Sequence, residues 1–232
     1  MDSKTLYQKL NVPNFKEIQT EAIEYLKNHP STIKEGIITD TFSHIPLDDF
    51  PILKSFIIPR IKTKVQETSF AIVPPNFETG KHIDGLKKDE GRKLYNQVRE
   101  VVINHPEFPS LNLDVTALPI ANQFVMIIPI LNYQDTTSYW YNNDDVADSD
   151  EVIQRFARKE YPYNWFLSFV KPEVVVKPIE STQIDCVTFI RSNLFHNVIN
   201  RGSKQRIAFV IRFFEYQHYD SLDGVFEYRD LT

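Results

Sequence analysis

Apolar residues recur at helical spacing in only three stretches of the chain. After Asn14, which is placed to cap a helix, Phe15, Ile18, Ala22, Ile23 and Leu26 fall on one face, and Pro30 stops the run. Leu94, Val98, Val101 and Val102 stripe a second predicted helix over 87–104. A third is expected from about Ser149, where Asp150 and Glu151 complement the amino-terminal end of the dipole and Val152, Ile153 and Phe156 give an apolar side.

Elsewhere the chain is rich in Val, Ile, Phe, Tyr and Thr in short runs, at 69–73, 123–131, 137–141, 165–170, 174–177, 186–190 and 207–214. Most of these follow one another with no helix between them, which predicts antiparallel pairing. The run FVMIIPIL is apolar on both faces and reads as a central strand, with Pro129 at a bulge or at its end. The expectation is a mostly β chain, a sandwich or barrel with flanking helices. With no linker-like segment, one domain is expected over 1–232, with mainly helical support over 1–65, the β core over 66–216 and a tail over 217–232.

Composition narrows the class. Of the residues, 42% are apolar and 13% aromatic, ample for a packed core, and no apolar run approaches the ~18 residues that cross a bilayer. The start, MDSKTLYQKLNVPNF, has no signal-peptide core, and one cysteine, Cys186, allows neither an internal disulfide nor a Cys-based zinc site. A cytoplasmic protein with no membrane partner is expected. A net charge of −5 without any basic block removes the electrostatic footprint of a nucleic-acid binder.

Chemistry then falls to the six histidines. With no Cys ligands, a transition-metal site must combine His with carboxylates. His-x-Asp or His-x-Glu suits that purpose on a strand, because a period of two puts both side chains on one face. The pattern occurs as His82-Ile83-Asp84, His105-Pro106-Glu107 and His218-Tyr219-Asp220. The second reads as a helix exit interrupted by proline, and the third lies in a polar tail. The first follows the strand SFAIVPPN and the turn FETG, and has His196 available later in a β-rich segment. A surface hydrogen-bonded pair is the plain alternative for His82 and Asp84.

The segment RSNLFHNVINRGSKQRIAFVIRF reads as two strands joined by a turn at 200–203. A hairpin with an odd-length loop would set Arg206 opposite or diagonal to His196, roughly 5–8 Å away. Substitution of Arg201, in the turn itself, is expected to be neutral. The aromatic run Tyr139-Trp140-Tyr141 reads as core packing ahead of a pocket wall.

The order His-x-Asp … His … Arg in a β-rich chain resembles the iron(II)- and 2-oxoglutarate-dependent oxygenase superfamily. PPNFETGKHIDG and FIRSNLFHNVINRGSKQRIAFVIRF carry the likeness, which runs from about 69 to 214 and is nearest the aspartyl/asparaginyl hydroxylase-like branch, phage-type members included. The resemblance implies a double-stranded β-helix (jelly-roll, cupin-like) core, with His82, Asp84 and His196 as iron ligands and Arg206 as partner of the 2-oxoglutarate tail carboxylate. It further implies Fe(II), 2-oxoglutarate and dioxygen, and a small-molecule, amino-acid or peptidyl substrate. Thr137, Tyr139 and Tyr141 are the candidates for a hydroxyl assisting Arg206. A cupin-like metal protein without 2-oxoglutarate and a catalytically silent β-sandwich interaction module are the competing readings.

Overall fold

The computed structural model describes residues 5–29, 45–84, 124–147, 149–158, 165–213 and 221–228; of 66, 67, 84, 155–158 and 165–167 it describes the backbone alone. The chain is mostly β. The strands are β1 (Tyr7–Lys9), β2 (Val65–Val73), β3 (Phe77–Glu78), β4 (His82–Asp84), β5 (Phe124–Leu131), β6 (Thr136–Tyr141), β7 (Ile153–Arg158), β8 (Trp165–Val170), β9 (Pro178–Thr182), β10 (Thr188–Arg191), β11 (His196–Asn200) and β12 (Arg206–Phe213), with two α-helices, α1 (Phe15–Asn28) and α2 (Pro51–Ile57).

Two antiparallel sheets result. One runs β1-β10-β5-β12-β2; the other runs β7-β8-β4-β11-β6-β9, with β3 also paired to β11. Strand alternation sorts side chains into layers. On β12, Ile207, Phe209, Ile211 and Phe213 join Ile18, Ala22 and Leu26 of α1 and Leu53, Phe56 and Ile57 of α2 in a cluster outside the first sheet. Ala208 and Val210 point the other way, packing with Val125, Ile127 and Ile190 of their own sheet and with Trp140 of the second. The outer face of the second sheet is covered separately, by Ile83, Tyr141 and Phe195 with Val146, Ile153, Val170 and Val176.

β5 is buried almost throughout, as a central strand should be. Its pairing with β12 shifts by one residue at Pro129, which lacks the N–H a regular ladder needs. The α1 helix forms where its apolar face predicts, although the Asn14 side chain makes no capping bond. The α2 helix was not foreseen. Pro51 pre-sets its first turn, and the Glu21 carboxylate of α1 accepts hydrogen bonds from the backbone N–H groups of Ile52 (2.7 Å) and Leu53 (3.0 Å). That long-range cap stabilises helix donors which otherwise lack partners, and Glu21→Ala should lower stability by about 1–2 kcal/mol. A urea midpoint shifted at unchanged slope would register it.

Two sequence expectations change. The stretch after Ser149 turns at once into β7, because β8 offers a ladder of six paired residues that outweighs an isolated helix turn. The strand expected at 174–177 begins instead at Pro178, and Val175 is 90% exposed. The expected helix over 87–104 lies outside the described residues, as do His44, His105 and His218. Among the described residues, no helix is long and apolar enough to cross a membrane.

Candidate functional site

The sequence FETGKHID forms two short strands along one edge of β11. Phe77 and Glu78 pair with Asn200 and Ile199, and His82 pairs with His196. Thr79 bridges the interruption between them, its N–H donating to Val198 O and its hydroxyl accepting from Val198 N. Gly80 stands at the break. A Cβ there would lie 2.8 Å from Cδ1 of Phe169, the residue opposite His82 on β8. Phe169 in turn lies against the His82 ring at 5.3 Å. Gly80→Ala should therefore cost about 1–3 kcal/mol of stability through overpacking and weaken any ligand held by His82. Denaturant unfolding and zinc affinity measured on the same sample would check both effects.

The two histidines stand side by side, ring centroids 4.5 Å apart and 47° between planes. Each is held the same way: the His82 Nδ1–H donates to the carbonyl of Gly80 (2.7 Å) and the His196 Nδ1–H to that of Leu194 (2.8 Å). A carbonyl can only accept, so both neutral rings carry the lone pair on Nε2, the arrangement of metal-ligating imidazoles. Asp84 is two residues along β4 and pairs with Leu167, its side chain lying outside what is described. Among the described side chains, no group of three or more His, Cys, Asp or Glu residues comes together.

Trp140 pairs directly with His196 across β6 and belongs to the cluster between the sheets, which puts both histidines on the inner face. Thr137, Tyr139 and Tyr141 are on the outer face. The Arg201 guanidinium donates to the Tyr139 hydroxyl (3.0 Å) and the Thr137 hydroxyl (3.5 Å). The Tyr141 hydroxyl donates to Asn197 Oδ1 (3.1 Å), and burial, reinforced by the Glu78 carboxylate and Tyr139, pushes its pKa up to about 12.

Arg206 reaches the site by another route than the expected hairpin. β11 and β12 are in different sheets: His196 pairs with His82 and Trp140, and Arg206 with Val73 of β2. The intervening turn crosses from one sheet to the other. Asn200 holds it, its amide donating to Val73 O, Pro74 O and Lys204 O while Oδ1 accepts from Gly202 N. Arg206 shares the strand face of Ala208 and Val210, hence the space between the sheets that the histidines face. It is 4% exposed, and burial alone pushes its guanidinium pKa down to about 10. Among the described residues its Nε has no hydrogen-bond partner and no carboxylate pairs with it.

No family model and no curated protein matches the chain. Solved structures similar to it are non-heme oxygenase-like proteins at low identity. The non-heme monooxygenase ThoJ in a nickel complex is 12% identical, with 92% of this chain and 75% of that one covered and a TM-score of 0.38. The non-heme alpha-ketoglutarate-dependent carbocyclase SnoK from nogalamycin biosynthesis is 10% identical, with 93% and 86% covered and a TM-score of 0.43. HygX from Streptomyces hygroscopicus, with nickel and 2-oxoglutarate bound, is 11% identical, with 92% and 83% covered and a TM-score of 0.37. Scores at this level assign neither family nor activity, so the functional reading rests on the side chains.

Proposed function

We propose that this protein is an iron(II)- and 2-oxoglutarate-dependent oxygenase that hydroxylates a small molecule or an amino-acid or peptidyl side chain, in the cytoplasm and without a nucleic-acid partner. The observation that carries the reading is Arg206. A guanidinium buried between the sheets with no carboxylate partner among the described residues is costly, and is retained where a ligand supplies the missing anion. Its planar fork suits the tail carboxylate of 2-oxoglutarate and stays charged there. The paired rings of His82 and His196, fixed through Nδ1, fit two ligands of a two-His-one-carboxylate iron site, with Asp84 as the third. The strand order supports the core expected of such an enzyme, a double-stranded β-helix with β2, β12, β5 and β10 in one sheet and β4, β11, β6 and β9 in the other. The aspartyl/asparaginyl hydroxylase-like branch is the position this reading gives the chain within the superfamily.

The residues then divide the work. His82, Asp84 and His196 would hold the metal. Arg206 binds the far carboxylate and sets the co-substrate's direction. Phe169 and Trp140, with the apolar residues around them, exclude water. Iron(II), when bound, supplies the dioxygen chemistry that couples decarboxylation of 2-oxoglutarate to succinate with hydroxylation of substrate. No co-substrate contact is assigned to Thr137 and Tyr139, whose hydroxyls face Arg201 on the other side of the sheet.

Protein loaded with Fe(II) under anaerobic conditions, given 2-oxoglutarate and then air, should release succinate slowly by itself and faster with a matching member of a metabolite and peptide panel. Histidine-dependent metal binding with neither 2-oxoglutarate binding nor succinate would overturn the reading in favour of a cupin-like metal protein.

A further inference from the structure

The space between the sheets contains more unsatisfied donors than Arg206. The Trp140 side chain is 0% exposed and Ser69 is 0% exposed, and among the described residues neither the indole Nε1 nor the Ser69 Oγ has a hydrogen-bond partner. Buried tryptophan N–H groups ordinarily find an acceptor, and an indole can only donate. Ser69 is opposite Val210, four residues along β12 from Arg206, whereas Trp140 is directly opposite His196. Cβ atoms of such a cross-strand pair are about 4.5–5.5 Å apart. The indole is also pinned, stacked on Tyr7 with centroids 5.3 Å apart and 27° between planes, so its N–H is presented at low entropic cost.

We propose that the Trp140 N–H is a second anchor for the co-substrate, donating to a carboxylate oxygen at the metal-bound end while Arg206 holds the other end. The inference rests on the oxygenase reading and deepens it: two donor-only groups, one at each end, select a ligand with acceptors at both ends, a dicarboxylate. Trp140 is in this view a positioning residue that fixes how the keto-acid end is turned toward His82 and His196. Core packing alone would account for the ring but leaves the buried N–H unexplained.

Trp140→Phe keeps an aromatic ring against Tyr7 and removes only the donor. With Zn(II) as a redox-inert metal, calorimetry should show zinc retained and 2-oxoglutarate affinity reduced about 10- to 100-fold, the range of one hydrogen bond to a charged group. In nitrogen-15-labelled parent protein the two indole N–H signals belong to Trp140 and Trp165. Adding 2-oxoglutarate to the zinc form should move the Trp140 proton downfield, and butyrate, which carries a carboxylate at one end only and so serves Arg206 alone, should not. That spectrum needs no variant, so it decides even if Trp140→Phe folds poorly. An unmoved Trp140 signal in a parent that does bind 2-oxoglutarate, lost in Arg206→Ala, overturns the role of Trp140 and leaves the oxygenase reading standing. A zinc-loaded parent that does not bind 2-oxoglutarate overturns both.

Discussion

Arg206→Ala should retain metal and lose 2-oxoglutarate affinity by two to three decades. Removing one partner of a buried charge pair costs about 3–5 kcal/mol, at ~1.4 kcal/mol per decade. Turnover should be lost at moderate co-substrate and partly recovered at high concentration, and Arg206→Lys should rescue only in part, because an ammonium lacks the bidentate fork. The same residue makes an opposite prediction for the ligand-free protein. Desolvation lowers the Arg206 pKa to about 10, so below pH 10 the folded protein carries a cation that the unfolded chain would hold at lower free energy. Arg206→Met should then stabilise the ligand-free protein by up to about 3 kcal/mol, at ~1.4 kcal/mol per pKa unit. The sign with pH follows from proton counts. Above about pH 10 and below the ordinary guanidinium range, the unfolded chain binds the proton and the folded protein does not, so the penalty shrinks and the gain from Arg206→Met falls as pH rises. Chemical unfolding of both proteins with and without 2-oxoglutarate checks the pair of claims. Equal co-substrate affinity in Arg206→Ala and parent would remove Arg206 from the site.

The second large effect concerns metal. Parent protein at a metal concentration 100 times the dissociation constant gains about 2.7 kcal/mol of stability, roughly 5–10 °C in a chain of this size at about 2–4 °C per kcal/mol. His82→Ala and His196→Ala should fold and show none of that gain, because each removes one of two rings standing 4.5 Å apart. Nickel or zinc should serve as well as iron(II) for the measurement, since both bind nitrogen and oxygen ligands at least as tightly. Thermal unfolding with metal analysis by mass spectrometry gives the answer, and undiminished metal in His196→Ala would end the metal assignment.

Much of this site is legible in local sequence. The two-residue spacing of His82 and Asp84 means one face only if the segment is a strand, and β4 is one. Arg206 among IAFVI reads as a buried cation, and it is 4% exposed. Other features carry no local signal of their role. Gly80, one of six glycines, lies two residues before His82 and owes its identity to Phe169, 89 residues away. Trp140 was visible in an aromatic run, but its face was not, because nothing local says which side of β6 is inside.

What the sequence by itself determined, then, is the set of periodic elements that one segment can specify: the apolar face of α1, the two-faced burial of β5 with its irregularity at Pro129, and the strands that carry His82, His196 and Arg206. Tertiary structure alone decided which strands are neighbours. The stripe after Ser149 became β7 because β8 was there to pair with it. The segment 189–213 became a crossing between sheets, and not a hairpin, because Asn200 ties the turn to Val73 and Pro74 and because β12 inserts between β2 and β5. The reason is physical: alternation along a strand is a local steric property, whereas register and sheet membership depend on hydrogen bonds between residues far apart in the chain, which are written in no single stretch of it.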